Sequence, residues 1–279
     1  MTISCTHGRP GSRRCGTFTD SDMVMIMQSS GVRRLHSACS DFPRLRRRLY
    51  DRVVGSPSPD LRLCVLGPTT VERSGRAVPI GGPLPRRLLT LLAAEDGGSV
   101  PVDTLIEAMW DGAPPPRAGA SLHAYVSRLR QVLDVGSAET LTSTADRYAL
   151  RLPRGSRDVD ELDQLALSSE TAAPSEIVRL ADRALDLVRG TPFGDAGPRG
   201  DPRVAAVRAR CEERIVTLAE RRLAALVDLG QVDRAVAELR QHVRLHPLRE
   251  HGWQLLVVAL YRSGRQSEAL SESRSGSPG

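Results

Sequence analysis

Between residues 111 and 133 the chain first excludes helix and then requires it. The run Asp111-Gly-Ala-Pro-Pro-Pro116 cannot be regular helix, because each proline lacks an amide donor and pushes its predecessor out of the helical region. Beyond it, Leu122, Val126, Leu129 and Leu133 recur at helical spacing, with Tyr125 and Val132 flanking the same stripe. The pattern predicts a long amphipathic helix from about Pro116 to Leu133 with one face in a core. Its other side presents Arg117, Ser121, Ser127 and Gln131, with His123, Arg128 and Arg130 at the margins.

The neighbouring segments say what that helix belongs to. Leu61 to Leu66 reads as a strand and Gly67-Pro68 as a turn. Thr70 to Glu72 and Ala77 to Ile80 read as short strands joined through Ser74-Gly75, with Pro79 confining the last to a sheet edge. A Leu-rich helix of about ten residues follows Pro85, opened by Arg86 and Arg87 and stopped at Gly97-Gly98. A second helix follows Val102, with Asp103 as its expected cap and Leu105, Ile106 and Met109 as its stripe, ending at Trp110. After Gly136, strands over Thr140 to Thr144 and Tyr148 to Leu152 form a hairpin with Arg147 expected at its tip. Short strands, three helices and a terminal hairpin make a winged helix-turn-helix domain over residues 61–152.

Such a helix fits the major groove of duplex DNA, where side chains distinguish base edges. Arg128 and Arg130 are two residues apart and point about 200° apart around the helix, so one can reach a base while the other grips phosphate or pairs with an acid. Arg117, at the helix entry, can meet phosphate together with free amides. Arg147 is a candidate for minor-groove or phosphate contact, and Arg86 and Arg87 for backbone contact. His123 reads as a groove-rim residue, Trp110 and Tyr125 as core aromatics.

Bulk properties restrict the alternatives. The net charge of +6 comes from 39 basic and 33 acidic residues, and every basic residue is Arg. Over residues 61–152 there are 10 Arg against 9 acidic residues, so a DNA footprint must come from local placement of Arg. The five cysteines are scattered without metal-ligand spacing, which fits a reducing, cytoplasmic setting, and no apolar run is long enough to span a bilayer. No nucleotide-binding, zinc-protease or serine-hydrolase motif occurs, so no enzyme activity and no cofactor are expected. His242 and His246 lie four apart, a spacing that can hold a metal on a helix, but with no third ligand they read as helix-surface histidines before Pro247.

A length of 279 residues accommodates two domains, each with its own core. Residues 1–60, mixed in Ser, Gly, Pro and Arg and containing the cluster Arg44, Arg46, Arg47 and Arg48, read as a disordered extension. A start assigned too far upstream is an alternative. Residues 153–270 are patterned as helices, with Asp158 to Leu167, Ile177 to Val188 and Arg203 to Asp228 periodic and Pro192 to Pro202 a break. Ala225-Leu226, Gly230 and Ala235 align with Ala259-Leu260, Gly264 and Ala269 at an offset of 34, the period of tetratricopeptide-like helix pairs. A generic helical bundle is the alternative. Residues 271–279 read as a disordered tail.

These residues carry a family resemblance. Leu61-Arg-Leu-Cys-Val-Leu-Gly-Pro68, Gly81-Gly-Pro83 leading into the Leu-rich helix, Val102-Asp-Thr-Leu-Ile-Glu-Ala-Met-Trp110, Ser121-Leu-His-Ala-Tyr-Val-Ser-Arg-Leu-Arg130 and Tyr148-Ala-Leu150 resemble the antibiotic regulatory proteins of actinobacteria. In that family an OmpR-like winged helix is joined to a bacterial transcriptional activator domain. Arg189-Gly190, Glu212-Glu213, His246-Pro-Leu-Arg-Glu250 and Ala259-Leu-Tyr-Arg-Ser-Gly-Arg-Gln266 match the second half. The resemblance covers residues 61 to about 272.

It implies an α+β winged helix followed by an all-α tetratricopeptide-like repeat domain. It also implies a transcriptional activator of a secondary-metabolite gene cluster that binds promoter direct repeats in double-stranded DNA as a homo-oligomer and recruits RNA polymerase holoenzyme. No receiver domain, and so no phosphoacceptor, is legible before Leu61. Two departures stand out. Gly82-Pro-Leu-Pro-Arg-Arg87 lacks the family's basic or amide-bearing pair, and the chain resembles a form truncated at the C-terminus, which predicts an incompletely covered apolar face around Leu256 and Leu260. From that truncation follows one alternative, a DNA-binding remnant or competitor without activation; a second alternative is a helical interaction adaptor whose winged helix serves only as a dimer surface.

Overall fold

A computed structural model describes residues 61–134, 140–197 and 201–275, all within one compact unit. The expected extension over residues 1–60, the break at Gly136 and residues 276–279 of the expected tail lie outside the described residues, while residues 271–275 of that tail are helical and not disordered.

Strands β1 (Leu61–Cys64), β2 (Thr70–Arg73) and β3 (Arg76–Val78) form an antiparallel sheet in that order. Ser74 and Gly75 take positive φ at the β2–β3 turn, the geometry that matches strand twist in a tight hairpin. Pro79 follows the last residue of edge strand β3, where its missing donor costs no ladder bond. Helix α1 (Pro83–Ala93) buries Leu88, Leu89, Leu91 and Leu92. Then come β4 (Ser99–Pro101), α2 (Val102–Met109), α3 (Ala118–Leu133), β5 (Leu141–Ser143) and β6 (Arg147–Leu150), the last two pairing with β4 in the order β4-β6-β5.

One local expectation changes. Asp103 does not cap α2: the N-cap is Pro101, two residues earlier, and no side chain caps the helix. At this start the Val102 amide is satisfied by the Asp146 carbonyl at 2.8 Å, in place of a side-chain cap. Asp103 sits in the first turn instead, where a carboxylate still favours the helix dipole.

The second half comprises α4 (Asp158–Ser168), α5 (Pro174–Asp186), a single 3-10 turn at Gly194–Ala196, α6 (Pro202–Asp228), α7 (Val232–Leu245), α8 (Glu250–Arg262) and α9 (Gln266–Ser275). The 34-residue offset is structural. Ala225, Leu226, Ala259 and Leu260 are buried at equivalent turns, and Gly230 and Gly264 take positive φ where α6 and α8 end. The apolar face expected to lie open around Leu256 and Leu260 is closed. Both residues are fully buried, and α9, helical through Ser275, packs Ala269 into the same cluster.

The cores divide elsewhere than the sequence suggested. One continuous apolar cluster runs from Leu63 through α1–α3 into Leu162, Leu165, Leu180, Ala181, Ala184, Phe193 and Leu218. A second cluster starts at Leu223, so the seam lies inside α6 and not at residue 152.

The joint is made at the end of β1. Both Asp158 carboxylate oxygens accept the Val65 amide at 2.9 Å, and one accepts the Leu66 amide at 2.9 Å. Leu63 donates to the Ser156 carbonyl at 2.8 Å, while Arg189 and Phe193 donate to the Leu66 and Val65 carbonyls at 2.7 Å. Gly67 is required here: a Cβ at its φ of +148° would stand 2.9 Å from the Arg189 backbone. The two motif fragments Gly67-Pro68 and Arg189-Gly190, far apart in sequence, are therefore one contact in space.

Candidate nucleic-acid interface

Helix α3 buries Ala118, Leu122, Val126, Leu129 and Leu133, with Tyr125 and Val132 packed partly against the same core. At 100° per residue the opposite face is centred on Ala120, Ala124, Ser127 and Gln131, all exposed. Arg117 and Arg128 lie together on one flank of that face. Both are exposed and make no ion pair among the described residues. Arg117 is the N-cap and leaves its side chain out of the cap. Ser121 is half-buried at the edge nearest Arg117. Ala120 and Ala124 went unnoticed in the sequence because small residues carry no polar signal, yet they allow close approach of the helix axis to a surface.

The other flank faces the hairpin β5–β6. His123 Nδ1 is hydrogen-bonded to the Tyr148 hydroxyl at 2.7 Å, with the rings edge to face. Arg130 donates from Nε to the Leu141 carbonyl and from Nη2 to Ser143 Oγ, each at 2.9 Å. Arg130 is thus turned toward the wing and is not free on the outer face. Arg128 and Arg130 do diverge as their spacing requires, and the divergence separates a free cation from a tethered one.

Three other positions differ from expectation. Arg87 forms a two-pronged ion pair with Asp111 and donates to the Ala196 carbonyl at 2.9 Å. This ties α1, the proline-rich loop and the helical second half together, so its head is not available as a phosphate ligand. Arg86 is half-buried, with Nε buried and without a hydrogen-bond partner. Arg147 is not at the hairpin tip, which is Thr144-Ala145-Asp146. It opens β6, and its guanidinium bonds Ser99 Oγ and the Ser99 carbonyl at 2.8 and 2.6 Å.

The histidine pair in the second half is structural. His242 is buried, donates from Nε2 to Glu220 at 3.1 Å and lies against His246 with ring centroids 4.9 Å apart. Arg249 grips the same carboxylate at 2.9 and 3.1 Å and reaches Glu213 at 2.6 Å. Burial alone would raise the Glu220 carboxyl, but the hydrogen bonds from His242 and Arg249 outweigh it and bring it to about 2. No cluster of His, Cys, Asp or Glu suited to a metal exists among the described residues. Of the cysteines, Cys64 and Cys211 are buried thiols, and burial pushes Cys211 up to about 11.

A winged helix whose core continues into a stack of helical hairpins defines a two-part regulator architecture, and comparisons with known proteins agree. Residues 157–276 match the bacterial transcriptional activator domain. The chain is 40% identical over 216 residues to the regulatory protein AfsR of Streptomyces coelicolor, covering 76% of this chain and 21% of AfsR. It is 31% identical over 219 residues to the transcriptional regulatory protein MoaR1 of Mycobacterium tuberculosis, covering 74% of this chain and 68% of MoaR1. The solved structure of Mycobacterium tuberculosis EmbR in complex with a low-affinity phosphopeptide superposes with a TM-score of 0.69 at 30% identity, over 78% of this chain and 59% of that one. The chain belongs to the actinobacterial antibiotic regulatory protein family, which joins an OmpR-like winged helix to a bacterial transcriptional activator domain. It spans about a fifth of the length of the AfsR proteins it matches.

Proposed function

We propose that this chain is a sequence-specific DNA-binding transcriptional activator of a secondary-metabolite gene cluster. The observation that carries the reading is the outer face of α3. It has a small, exposed centre at Ala120, Ala124, Ser127 and Gln131, with Arg117 and Arg128, which make no ion pair among the described residues, on one flank and a hairpin wing on the other. In the major groove, Gln131 would pair with an adenine edge, the alanine methyls would contact thymine methyls, and Ser127 would serve either strand. Arg117 and the open amides at the start of α3 would hold phosphate.

Promoter direct repeats would be filled by copies of the chain set head to tail, and the helical repeats would offer the surface that meets RNA polymerase. The family relationship, with relatives named as transcriptional regulators, supports the regulatory part of this reading. This reading puts the chain in the cytoplasm with the chromosome. No helix among the described residues is long and apolar enough to cross a membrane. Closure of the last repeat by α9 removes the reason for expecting an inert solenoid.

The test is selection of duplexes from a random-sequence library by the chain, followed by binding of the enriched duplex. Gln131→Ala is expected to lose about 1–3 kcal/mol of discrimination at one base position while non-specific binding holds. Absence of any enriched sequence would sink the reading.

A further inference from the structure

We infer that Arg130 is a positioning residue that sets the wing at a fixed angle to the recognition helix, with His123 supporting it, and that neither residue touches DNA. The inference rests on the DNA-binding reading above and on the hydrogen-bond pattern of the hairpin. In β5–β6, Thr140 and Arg151 are joined by a backbone bond, as are Thr144 and Arg147. The register pairs Leu141 with Leu150 and Ser143 with Tyr148. Backbone groups in an antiparallel ladder alternate between facing the partner strand and facing away. Leu141 and Ser143 therefore turn their backbone groups outward, on an edge strand that has β6 on one side only.

Such an edge presents unpaired carbonyls and is prone to slip or to pair elsewhere. Arg130 fills that edge. Its Nε satisfies the Leu141 carbonyl, and its Nη2 holds Ser143 Oγ one pleat further on. A planar guanidinium with donors in a fixed fork defines direction as well as distance, which a single flexible donor does not. Two helical turns earlier on the same face, His123 holds the Tyr148 hydroxyl on β6, so both strands of the wing are tied to one stripe of α3. Asp134, just past the helix, accepts the Thr140 amide at 2.8 Å and fixes where β5 starts.

With the hairpin root held at these points, the tip Thr144-Ala145-Asp146 stands at a set reach from the face that would enter the major groove. Wing and helix would then meet two neighbouring stretches of the duplex in one register. Loosening the wing costs affinity through lost preorganisation and not through a lost ion contact.

Salt dependence separates these roles. An arginine on phosphate contributes to the slope of log K against log salt, about 0.9 per contact, whereas a positioning arginine contributes nothing. Arg130→Ala is expected to lower affinity for a duplex selected by the wild-type chain about ten-fold, the size of losing a charge-assisted hydrogen bond, with the slope unchanged. Arg130→Lys, able to reach the Leu141 carbonyl with one donor, should restore part of that loss. In the free chain, amide exchange over Thr142 to Thr144 should accelerate in Arg130→Ala and less so in Ser143→Ala, a surface change that keeps the fold. A slope reduced by about one in Arg130→Ala would overturn the inference, because it would mean phosphate contact. Unchanged exchange of the wing would overturn it equally. If the wild-type chain bound no DNA, the functional reading would fail, while the exchange comparison would still decide whether Arg130 holds the wing.

Discussion

Asp158→Ala is expected to be the most destabilising single polar substitution around the first core, costing about 3–5 kcal/mol in urea or thermal unfolding. It would leave the Val65 and Leu66 amides buried without an acceptor, at about 1–3 kcal/mol each, and would remove the tie between β1 and α4. Because the apolar cluster is continuous from β1 to α6, the loss should appear in one cooperative transition that takes the winged helix and α4–α5 together. Asp158→Asn keeps an acceptor oxygen and should cost clearly less. A change below about 1 kcal/mol in Asp158→Ala would show that the joint does not depend on this carboxylate.

Arg249→Ala is the second large effect, and it acts in the other core. Glu220 is buried, and Arg249 supplies two of its hydrogen bonds, so truncation strands a carboxylate with His242 as its remaining partner. The expected cost at neutral pH is about 3 kcal/mol. The pH dependence follows from the sign of the Glu220 shift. Its carboxyl is lowered from 4.5 to about 2, so its contribution is fully present above pH 4.5 and is lost as pH falls toward 2. The gap between wild type and Arg249→Ala in denaturant midpoint should therefore narrow on acidification through that window. Asp158 works with the opposite sign: burial raises its carboxyl, and the Val65 and Leu66 amides and Arg189 offset that only in part. Between its unfolded value of 3.8 and its raised folded value, stability from this group falls as pH rises. A midpoint gap that is constant down to pH 2 would contradict the role given to Arg249.

Much of the architecture was legible because it follows from local rules. The prolines before α3, the four-three-four stripe of Leu122, Val126, Leu129 and Leu133, the Ser74-Gly75 turn and the repeated Gly230 and Gly264 each act within a few residues. The fold class follows from those rules, and the EmbR structure shares it. The joint was not legible, since Asp158 at the first turn of α4 reads as an ordinary dipole-favouring acid. Only the fold brings it to amides 92 and 93 residues away. The same limit applies to arginine. Arg87, Arg117, Arg128, Arg130 and Arg147 look alike in sequence, but Asp111, Leu141, Ser143 and Ser99 claim three of them. Ala120 and Ala124 were passed over for the converse reason, being informative only once they stand at the centre of an exposed face. His242 reads as a helix-surface residue because, with no third ligand beside His246, nothing in the local pattern draws it inward. Gly252 is what allows it inward, since a Cβ at that position would meet the His242 ring at 2.9 Å.

The most direct test of the central claim, that the outer face of α3 meets DNA, is the salt dependence of binding to a selected duplex by the wild-type chain and by the Arg117→Ala/Arg128→Ala double variant. The expected result is weaker binding and a slope of log K against log salt shallower by about 1–2, as one or two phosphate contacts are lost. Affinity and slope both equal to wild type would contradict the claim, because the two free arginines on that face would then have no part in holding the duplex.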